Sequence, residues 1–401
     1  MLAAHTGKRL LWRLANQIRA PVLLELWDGE RIPLSENPAV VFRLTSPTAL
    51  RYVLKPSMSS LGEAFVEGYI DIEGALREII RAGEQMARSA GNQPWRSMLR
   101  RLHAHTRVSD SEAIRYHYDV SNDFYALWLD RNMVYSCAYY QTGGEDIHTA
   151  QEQKLEYICR KLRLKPGERL LDIGCGWGGL IRWAAKHHGV RATGITLSEN
   201  QFAYARERIA REGLANRCEV RLQDYRDVPG EKCFDKIVSV GMFEHVGLKN
   251  LPLYFATAHR LLADDGVFLN HGITAMDPDN RSVGLGAGEF IERYVFPDGE
   301  LPHLTLAVDT MSRQGFEVVD VESLRRHYAR TLGQWSERLE AQRETALSLA
   351  GRKRYRIWQL YLAGCAHAFE RGWVSIHQIL AVKGLNNGRF ILPWTRADLY
   401  R

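Results

Sequence analysis

The stretch Arg169-Leu-Leu-Asp-Ile-Gly-Cys-Gly-Trp-Gly-Gly-Leu180 constrains the fold of this chain more than any other segment. Leu170, Leu171 and Ile173 predict a short buried strand. Gly174, Gly176, Gly178 and Gly179 follow at once, and Leu180-Ile-Arg-Trp-Ala-Ala-Lys186 reads as a helix. Strand, glycine turn, helix is the opening of a doubly wound α/β domain. Glycine suits the turn because a backbone without Cβ bends sharply and lets a ligand approach closely. Gly174, Gly176 and Gly179 also satisfy G-x-G-x-x-G, so the turn by itself is open to a dinucleotide as well as to S-adenosylmethionine.

Downstream the alternation is regular. Strands are predicted at 169–173, 190–195, 217–222, 234–240, 266–271, 315–321 and 376–383, with helices at 199–212, 250–262 and 302–314 among those between them. A further helix from Thr149 to Leu164 precedes the glycine stretch and is ended by Pro166-Gly167. Seven strands of this kind fit the class I methyltransferase arrangement, a Rossmann-like α/β fold, although a dehydrogenase shares its first half. Residues 334–350 and 353–374 read as two extra helices. In the second, Trp358, Tyr361, Leu362, Cys365 and Phe369, with Trp373, form an apolar face, first for core packing and second for part of an acyl tunnel.

With 401 residues the chain has room for more than this domain. Residues 8–20 place Leu11, Leu14, Ala15 and Ile18 on one helical face, with Lys8, Arg9, Arg13 and Arg19 mostly elsewhere. Packing on its own domain is the first use of such a helix, and lying on a membrane surface the second. Short strands at Val22–Trp27, Ile32–Leu34 and Val40–Leu44, with Asp28-Gly29 as a hairpin turn, and a helix at 72–90 complete a small α+β unit. The expected division is therefore 1–90 as a small lipid- or membrane-facing domain, 91–112 as a basic linker, and 113–401 as the catalytic domain. Between 113 and 129, Tyr116, Tyr118, Phe124, Tyr125 and Trp128 are read first as core and second as the lining of a slot for a long apolar ligand.

Charge and cysteine content narrow the function. The net charge of +6 is mild, but basic residues crowd 8–19 and 88–107, a pattern that is either an ordinary solvated face or one that attracts phosphate of lipid or nucleic acid. A nucleic-acid methyltransferase would carry an Asn/Asp-Pro-Pro-aromatic motif, and none is present. The six cysteines show no metal-ligand spacing and no disulfide pattern, so no metal is expected and reduced cytosolic thiols are the default. No apolar run reaches the roughly 20 residues of a membrane span, and no signal peptide is expected.

The residue after each strand chooses the cofactor, because ligands of open α/β sheets bind beyond the carboxyl ends of the strands. A nicotinamide site wants an acid after the second strand to hold ribose hydroxyls. Thr196 stands there instead. Asp224, after the third strand, is placed to accept from an adenine amino group, and taken alone it reads equally as a helix cap or turn residue. Glu244 and His245 follow the fourth strand, and His271 ends the fifth. Together these favour S-adenosylmethionine over a nicotinamide cofactor.

At this point the chain resembles the cyclopropane-fatty-acyl-phospholipid synthases, relatives of the mycolic acid cyclopropane synthases. The resemblance is carried by Tyr116-His-Tyr-Asp-Val-Ser-Asn-Asp-Phe-Tyr125, Tyr135-Ser-Cys-Ala-Tyr139, Leu171-Asp-Ile-Gly-Cys-Gly-Trp-Gly-Gly179, Thr196-Leu-Ser198 with Gln201, Gln223-Asp-Tyr-Arg226 and Ser239-Val-Gly-Met-Phe-Glu-His-Val246. Ser60-Leu-Gly-Glu63 and Glu67-Gly-Tyr69 are similar to the family's lipid-facing domain. The resemblance implies that Tyr135, Ser136, Asp172, Gly174, Gly176, Thr196, Leu197, Gln201, Asp224 and Tyr225 hold S-adenosylmethionine. It also implies a bound bicarbonate as base, seated by Cys137, Glu244, His271, the backbone of Ile273, and Tyr328. A cytoplasmic homodimer, peripheral at the inner membrane surface and acting on unsaturated acyl chains of phospholipids, is the implied working form.

The residue types suit that chemistry. An alkene is a poor nucleophile, so it needs alignment with the methyl and a dry site. The cation that forms can be stabilised by aromatic faces. Glu244 can accept a hydroxyl hydrogen of bicarbonate, and His271 and Tyr328 can donate to its oxygens. Each residue alone has a plain structural use: Cys137 as a small hydrophobe, His271 as a satisfied core histidine, Glu244 at a helix start, and Tyr328 as core. The chain departs from the family at Asn270-His271-Gly272-Ile273, where a threonine commonly follows the histidine, and this bears on product choice. The alternatives are a same-fold enzyme giving methylene- or methyl-branched chains, and a lipid-binding module with an inactive transferase. The loop Asp277–Gly288 is a candidate lid.

Overall fold

The computed structural model describes residues 8–12, 15, 17–89, 121–278, 285–296, 299–383 and 392–400. The predicted linker, Tyr116 and Tyr118, Arg13 and Leu14, and residues 279–284 of the candidate lid lie outside these residues. Contacts divide the chain into two compact units. One comprises Met1–Leu102, Ser282–Pro297 and Leu339–Arg371; the other comprises His103–Arg281, Asp298–Arg338 and Gly372–Arg401.

The first unit is built on a four-stranded sheet. Strands β1 (Val22–Glu25), β2 (Arg31–Pro33), β3 (Val40–Leu44) and β4 (Ile70–Glu73) take the order β2-β1-β3-β4. The hairpin turn between β1 and β2 holds Gly29 at φ +87, a conformation glycine adopts without a steric penalty. Leu11 and Ile18 pack with Val22, Phe42 and Met86 in one core, so this part of the N-terminal segment folds onto its own domain as read from the periodicity. Leu10 and Trp12 stay 46% and 45% exposed. The predicted helix at 72–90 starts later, at Leu76, because β4 takes up the first residues. Lys8 pairs with Asp28 and Glu30, and Arg88 with Glu84, so these basic residues are engaged within the unit.

Two later segments belong to this unit, although the sequence assigned them to the catalytic domain. Helix Ala287–Tyr294 lays Phe290 over Gly62, where a Cβ would sit 2.7 Å from the ring, and Arg293 pairs with Glu63 at 2.7 Å. In helix Arg343–Arg371, Lys353 pairs with Glu67 at 2.8 Å and His367 meets buried Glu84 at 2.7 Å. Gly351 breaks that helix (φ +74), at the gap predicted between 350 and 353. Trp358, Tyr361, Leu362 and Phe369 are buried, in accord with the core reading of that face. Periodicity identifies a helix and its apolar face; it carries no information about which sheet covers that face.

The second unit holds all seven predicted strands: β5 (Arg169–Ile173), β6 (Arg191–Thr196), β7 (Cys218–Leu222), β8 (Phe234–Val240), β9 (Leu262–Ala275), β10 (Phe316–Ser323) and β11 (Val374–Lys383). Their order is β10-β11-β9-β8-β5-β6-β7. Pairings from β9 through β7 are parallel, and β11 runs antiparallel to both β9 and β10. The chain order reverses at β5, which lies between β6 and β8, so the carboxyl end of β5 is the switch point where ligands bind. Helix Ile147–Leu162 starts two residues before the prediction because the Asp146 carboxylate accepts from the Thr149 N–H at 2.8 Å. Phe124, Tyr125 and Trp128 are fully buried, in accord with the core reading.

Candidate active site

The turn after β5 holds Gly174 at φ +83, with Met242 2.9 Å from where a Cβ would stand, and Gly176 at φ +55 with nothing near that position. Any other residue at Gly174 would be strained and crowded at once. A pocket of about 1130 Å³, counted with its open mouth, lies over this turn. All ten residues expected to hold the cofactor line it: Tyr135, Ser136, Asp172, Gly174, Gly176, Thr196, Leu197, Gln201, Asp224 and Tyr225.

Most of its polar side chains are held by neighbours. After β6, the Thr196 hydroxyl donates to Gln201 Oε1 at 2.8 Å, and Ser198 caps helix Glu199–Arg211. After β7, Arg226 grips the Asp224 carboxylate through Nε (2.9 Å) and a terminal nitrogen (2.6 Å), with its guanidinium over the Tyr225 ring. Its Oδ1 also accepts from the Arg226 backbone N–H at 2.9 Å, so Asp224 caps the short turn Tyr225–Asp227. The segment carrying Tyr135 and Ser136 is fixed from two sides. Gln151 donates to the carbonyls of Val134 (3.3 Å) and Ser136 (2.8 Å), and Lys154 donates to Ser136 Oγ at 2.7 Å. From helix Arg325–Ala341, Thr331 accepts from the Ala138 N–H at 3.1 Å.

Asp172 is different. It is 2% exposed and its Oδ1 has no partner; burial pushes its pKa up to about 7, against the pull of Lys154. An unpartnered buried acceptor beside an exposed glycine backbone suits a ligand that brings an ammonium group. These features fit S-adenosylmethionine.

The five residues expected to seat the base do not line this pocket; Met242, His245 and Val246, which flank Glu244, do. Glu244 lies in the short turn Phe243–His245 after β8 and is 6% exposed. Its Oε1 accepts from the Ile273 N–H at 3.3 Å, so that backbone group is engaged by the carboxylate, and its Oε2 has no partner. Burial raises the Glu244 pKa to about 7. His271, on β9, is 1% exposed, and burial holds its imidazole well below the usual pKa, hence neutral. Gln378, its register partner on β11, donates to Nδ1 at 3.2 Å, which puts the proton on Nε2; Nε2 has no partner. Gly272 makes the arrangement possible. A Cβ there would stand 2.2 Å from Phe243 and 2.7 Å from Glu244 Oε2.

Cys137 and Tyr328 converge on another backbone group. The fully buried Cys137 thiol contacts the Leu324 carbonyl at 3.8 Å, and the Tyr328 N–H donates to the same carbonyl at 3.0 Å. Burial raises the Cys137 pKa, which leaves a neutral thiol. The Tyr328 ring lies 6.2 Å from Trp335, and Trp335 lies 5.3 Å from Tyr135 of the pocket. An aromatic cluster of Tyr125, Trp128, Tyr135, Trp177 and Trp335 thus runs from the pocket to Tyr328.

Sequence reasoning missed Gln151, Lys154 and Gln378. Gln151 and Lys154 lie three apart on one face of their helix and are buried there; two polar residues on the inner face of an amphipathic helix were the available signal. Arg226 stood in the quoted Gln-Asp-Tyr-Arg run. Gln378 becomes relevant only through strand pairing.

Comparison with known proteins agrees with this geometry. The family model described as mycolic acid cyclopropane synthetase matches residues 105–379, and a model described as a domain of unknown function matches 11–94. A Pseudomonas putida protein named "Probable fatty acid methyltransferase" is 49% identical over 96% of this chain and 98% of its own length. The Escherichia coli K12 cyclopropane-fatty-acyl-phospholipid synthase is 35% identical over 94% of each chain. The solved structure of mycolic acid cyclopropane synthase CmaA1 complexed with SAH and CTAB superposes with a TM-score of 0.64 at 35% identity, covering 70% of this chain and 99% of that one. With the seven-stranded sheet and the pocket at its switch point, these matches make the chain a member of the mycolic acid cyclopropane synthetase family and an S-adenosylmethionine-dependent methyltransferase.

Proposed function

We propose that the chain converts cis double bonds in the acyl chains of phospholipids into cyclopropane rings, with bicarbonate as the base. The observation that carries this reading is the pair of unpartnered buried polar atoms at Glu244 Oε2 and His271 Nε2. One is an acceptor and the other a donor, as a small oxyacid anion requires. Bound S-adenosylmethionine supplies an electrophilic methyl group, and bound bicarbonate supplies a base small enough to sit beside it.

The chain's own residues then have distinct tasks. The ten pocket residues hold and orient the cofactor. Glu244 accepts the hydroxyl hydrogen of the anion through Oε2, and His271 donates to one of its oxygens through Nε2–H. A neutral His271 keeps that proton on Nε2 whatever the charge of Glu244. Tyr328 and Cys137 complete the seat. The aromatic cluster around Tyr135 excludes water and offers ring faces to positive charge on the acyl chain.

Phospholipid as substrate is supported by the E. coli relative's name and coverage, and action at the membrane surface by exposed Leu10 and Trp12 on the N-terminal segment. No helix among the described residues is long and apolar enough to cross a membrane. A homodimer at the cytoplasmic face is part of the same reading, by family resemblance. A second product is favoured by one observation: the Pseudomonas putida relative, at the higher identity, carries a methyltransferase name. In that case the substrate loses a different proton and the chain ends methyl- or methylene-branched.

Incubation with unsaturated phospholipid vesicles and methyl-labelled S-adenosylmethionine, followed by mass spectrometry and NMR of the acyl chains, tests this. Cyclopropane proton signals are expected. A labelled branched chain would replace the first reading with the second, and no label in lipid would end both.

A further inference from the structure

Lys154 is a buried ammonium in the wall of the cofactor pocket, 1% exposed, and no expectation assigned it a role. Its single hydrogen bond among the described residues runs to Ser136 Oγ at 2.7 Å. An ammonium has three donors, so two remain. No carboxylate among the described residues lies within ion-pair distance. Asp130, whose charge it feels, already uses its oxygens on the N–H groups of Asn132 (2.9 Å) and Val134 (2.7 Å). Asp172 also lines the pocket, and its Oδ1 has no partner.

The same pocket wall therefore carries an ammonium with donors to spare and a carboxylate with an acceptor to spare, not joined to each other. Burying either charge unpaired is costly. Burial accordingly lowers Lys154 to about 8 and raises Asp172 to about 7. A ligand end bearing both opposite charges satisfies both groups, and an α-amino acid is such an end.

We infer that Lys154, braced by Ser136, receives the α-carboxylate of the bound cofactor while Asp172 receives its α-ammonium. The pocket thereby recognises an amino-acid zwitterion as well as a nucleoside. This rests on the pocket being the cofactor's seat. Lys154 acts as a cofactor-positioning residue, and Ser136 orients its ammonium.

The test is calorimetric titration of the full chain with three ligands: S-adenosylhomocysteine, its decarboxylated analogue 5′-deoxy-5′-(3-aminopropylthio)adenosine, and 5′-methylthioadenosine. Wild type should bind S-adenosylhomocysteine about ten-fold or more tightly than the decarboxylated analogue, the scale of one charge-assisted hydrogen bond. Lys154→Met should lower affinity for S-adenosylhomocysteine by about the same factor and leave the other two ligands within about two-fold. Equal losses for all three ligands, or an unchanged affinity for S-adenosylhomocysteine, overturn the assignment. Should Lys154→Met and Lys154→Gln both fail to fold, the wild-type comparison decides alone: equal affinity with and without the carboxylate overturns it. A wild type that binds none of the three removes the pocket as the cofactor's seat along with the inference.

Discussion

Around the cofactor pocket Thr196 donates to Gln201 and Asp224 is gripped by Arg226. Beyond β8 and on β9, Glu244 keeps an oxygen and His271 a nitrogen without a partner, both buried. A group that only orients a cofactor can be locked by protein neighbours and still present a fixed face to the ligand. Under the proposed function Glu244 and His271 complete the shell of a small ion, and so they are left open to it. The second region is therefore the less stable part of the design, as expected where polar groups are held desolvated for chemistry.

The contrast can be broken most strongly at Glu244. Glu244→Gln should lower turnover by about 10²–10⁴-fold, the range of a lost acid–base function, while S-adenosylhomocysteine still binds. Rate and calorimetric assays on the same preparation check this, and unchanged turnover would remove Glu244 from the chemistry.

The same carboxyl should cost stability in a pH-dependent way. Its pKa rises from 4.5 to about 7 in the folded state, so between those values the native state holds a proton that the unfolded chain has released. Stability from this group is then greatest below the lower value, falls as pH rises through the window, and stays low above it. The difference is about 3 kcal/mol. Urea unfolding of wild type and Glu244→Gln at pH 4.5 and pH 8 should show the variant gaining on wild type at the higher pH. A constant difference would mean that Glu244 is solvated.

Smaller effects are expected at the pocket. Arg226→Met removes the two guanidinium bonds to Asp224 and should weaken S-adenosylhomocysteine binding by about ten-fold, one charge-assisted hydrogen bond's worth. Unchanged binding in calorimetry would show that Asp224 needs no brace. Thr196→Val removes the bond to Gln201 and should weaken the same binding about five-fold, or about 1 kcal/mol. A larger loss at Thr196 than at Arg226 would reverse the assignment of which strand end dominates cofactor affinity.

The pocket was readable because its residues follow directly after strands. Predicting where β5, β6 and β7 end was enough to bring Gly174 to Gly179, Thr196 and Asp224 to one rim, since parallel strands in one sheet place their carboxyl ends together. Glu244 was reachable by the same rule; His271 was expected to end its strand and lies instead inside β9, which runs on to Ala275. Cys137 and Tyr328 came only through resemblance, because nothing local marks a buried cysteine or a helical tyrosine as functional. Lys154 and Gln378 escaped both routes: each acts through a contact across the fold. Only contacts across the fold group residues 282–297 and 339–371 with the first unit, through pairs such as Glu63 with Arg293 and Glu84 with His367.

What the sequence determined by itself is what depends on short-range periodicity and steric freedom: seven strands, the helices between them, a glycine turn, and the residues that follow each strand. Only the tertiary structure decided which buried polar groups were left unpartnered. It also decided that Gly272 must be glycine beneath Phe243 and Glu244, and that Lys154 stands in the pocket wall without a counter-ion. The physical reason is that satisfaction of a buried polar atom is a property of every group around it in space, and those groups come from distant parts of the chain.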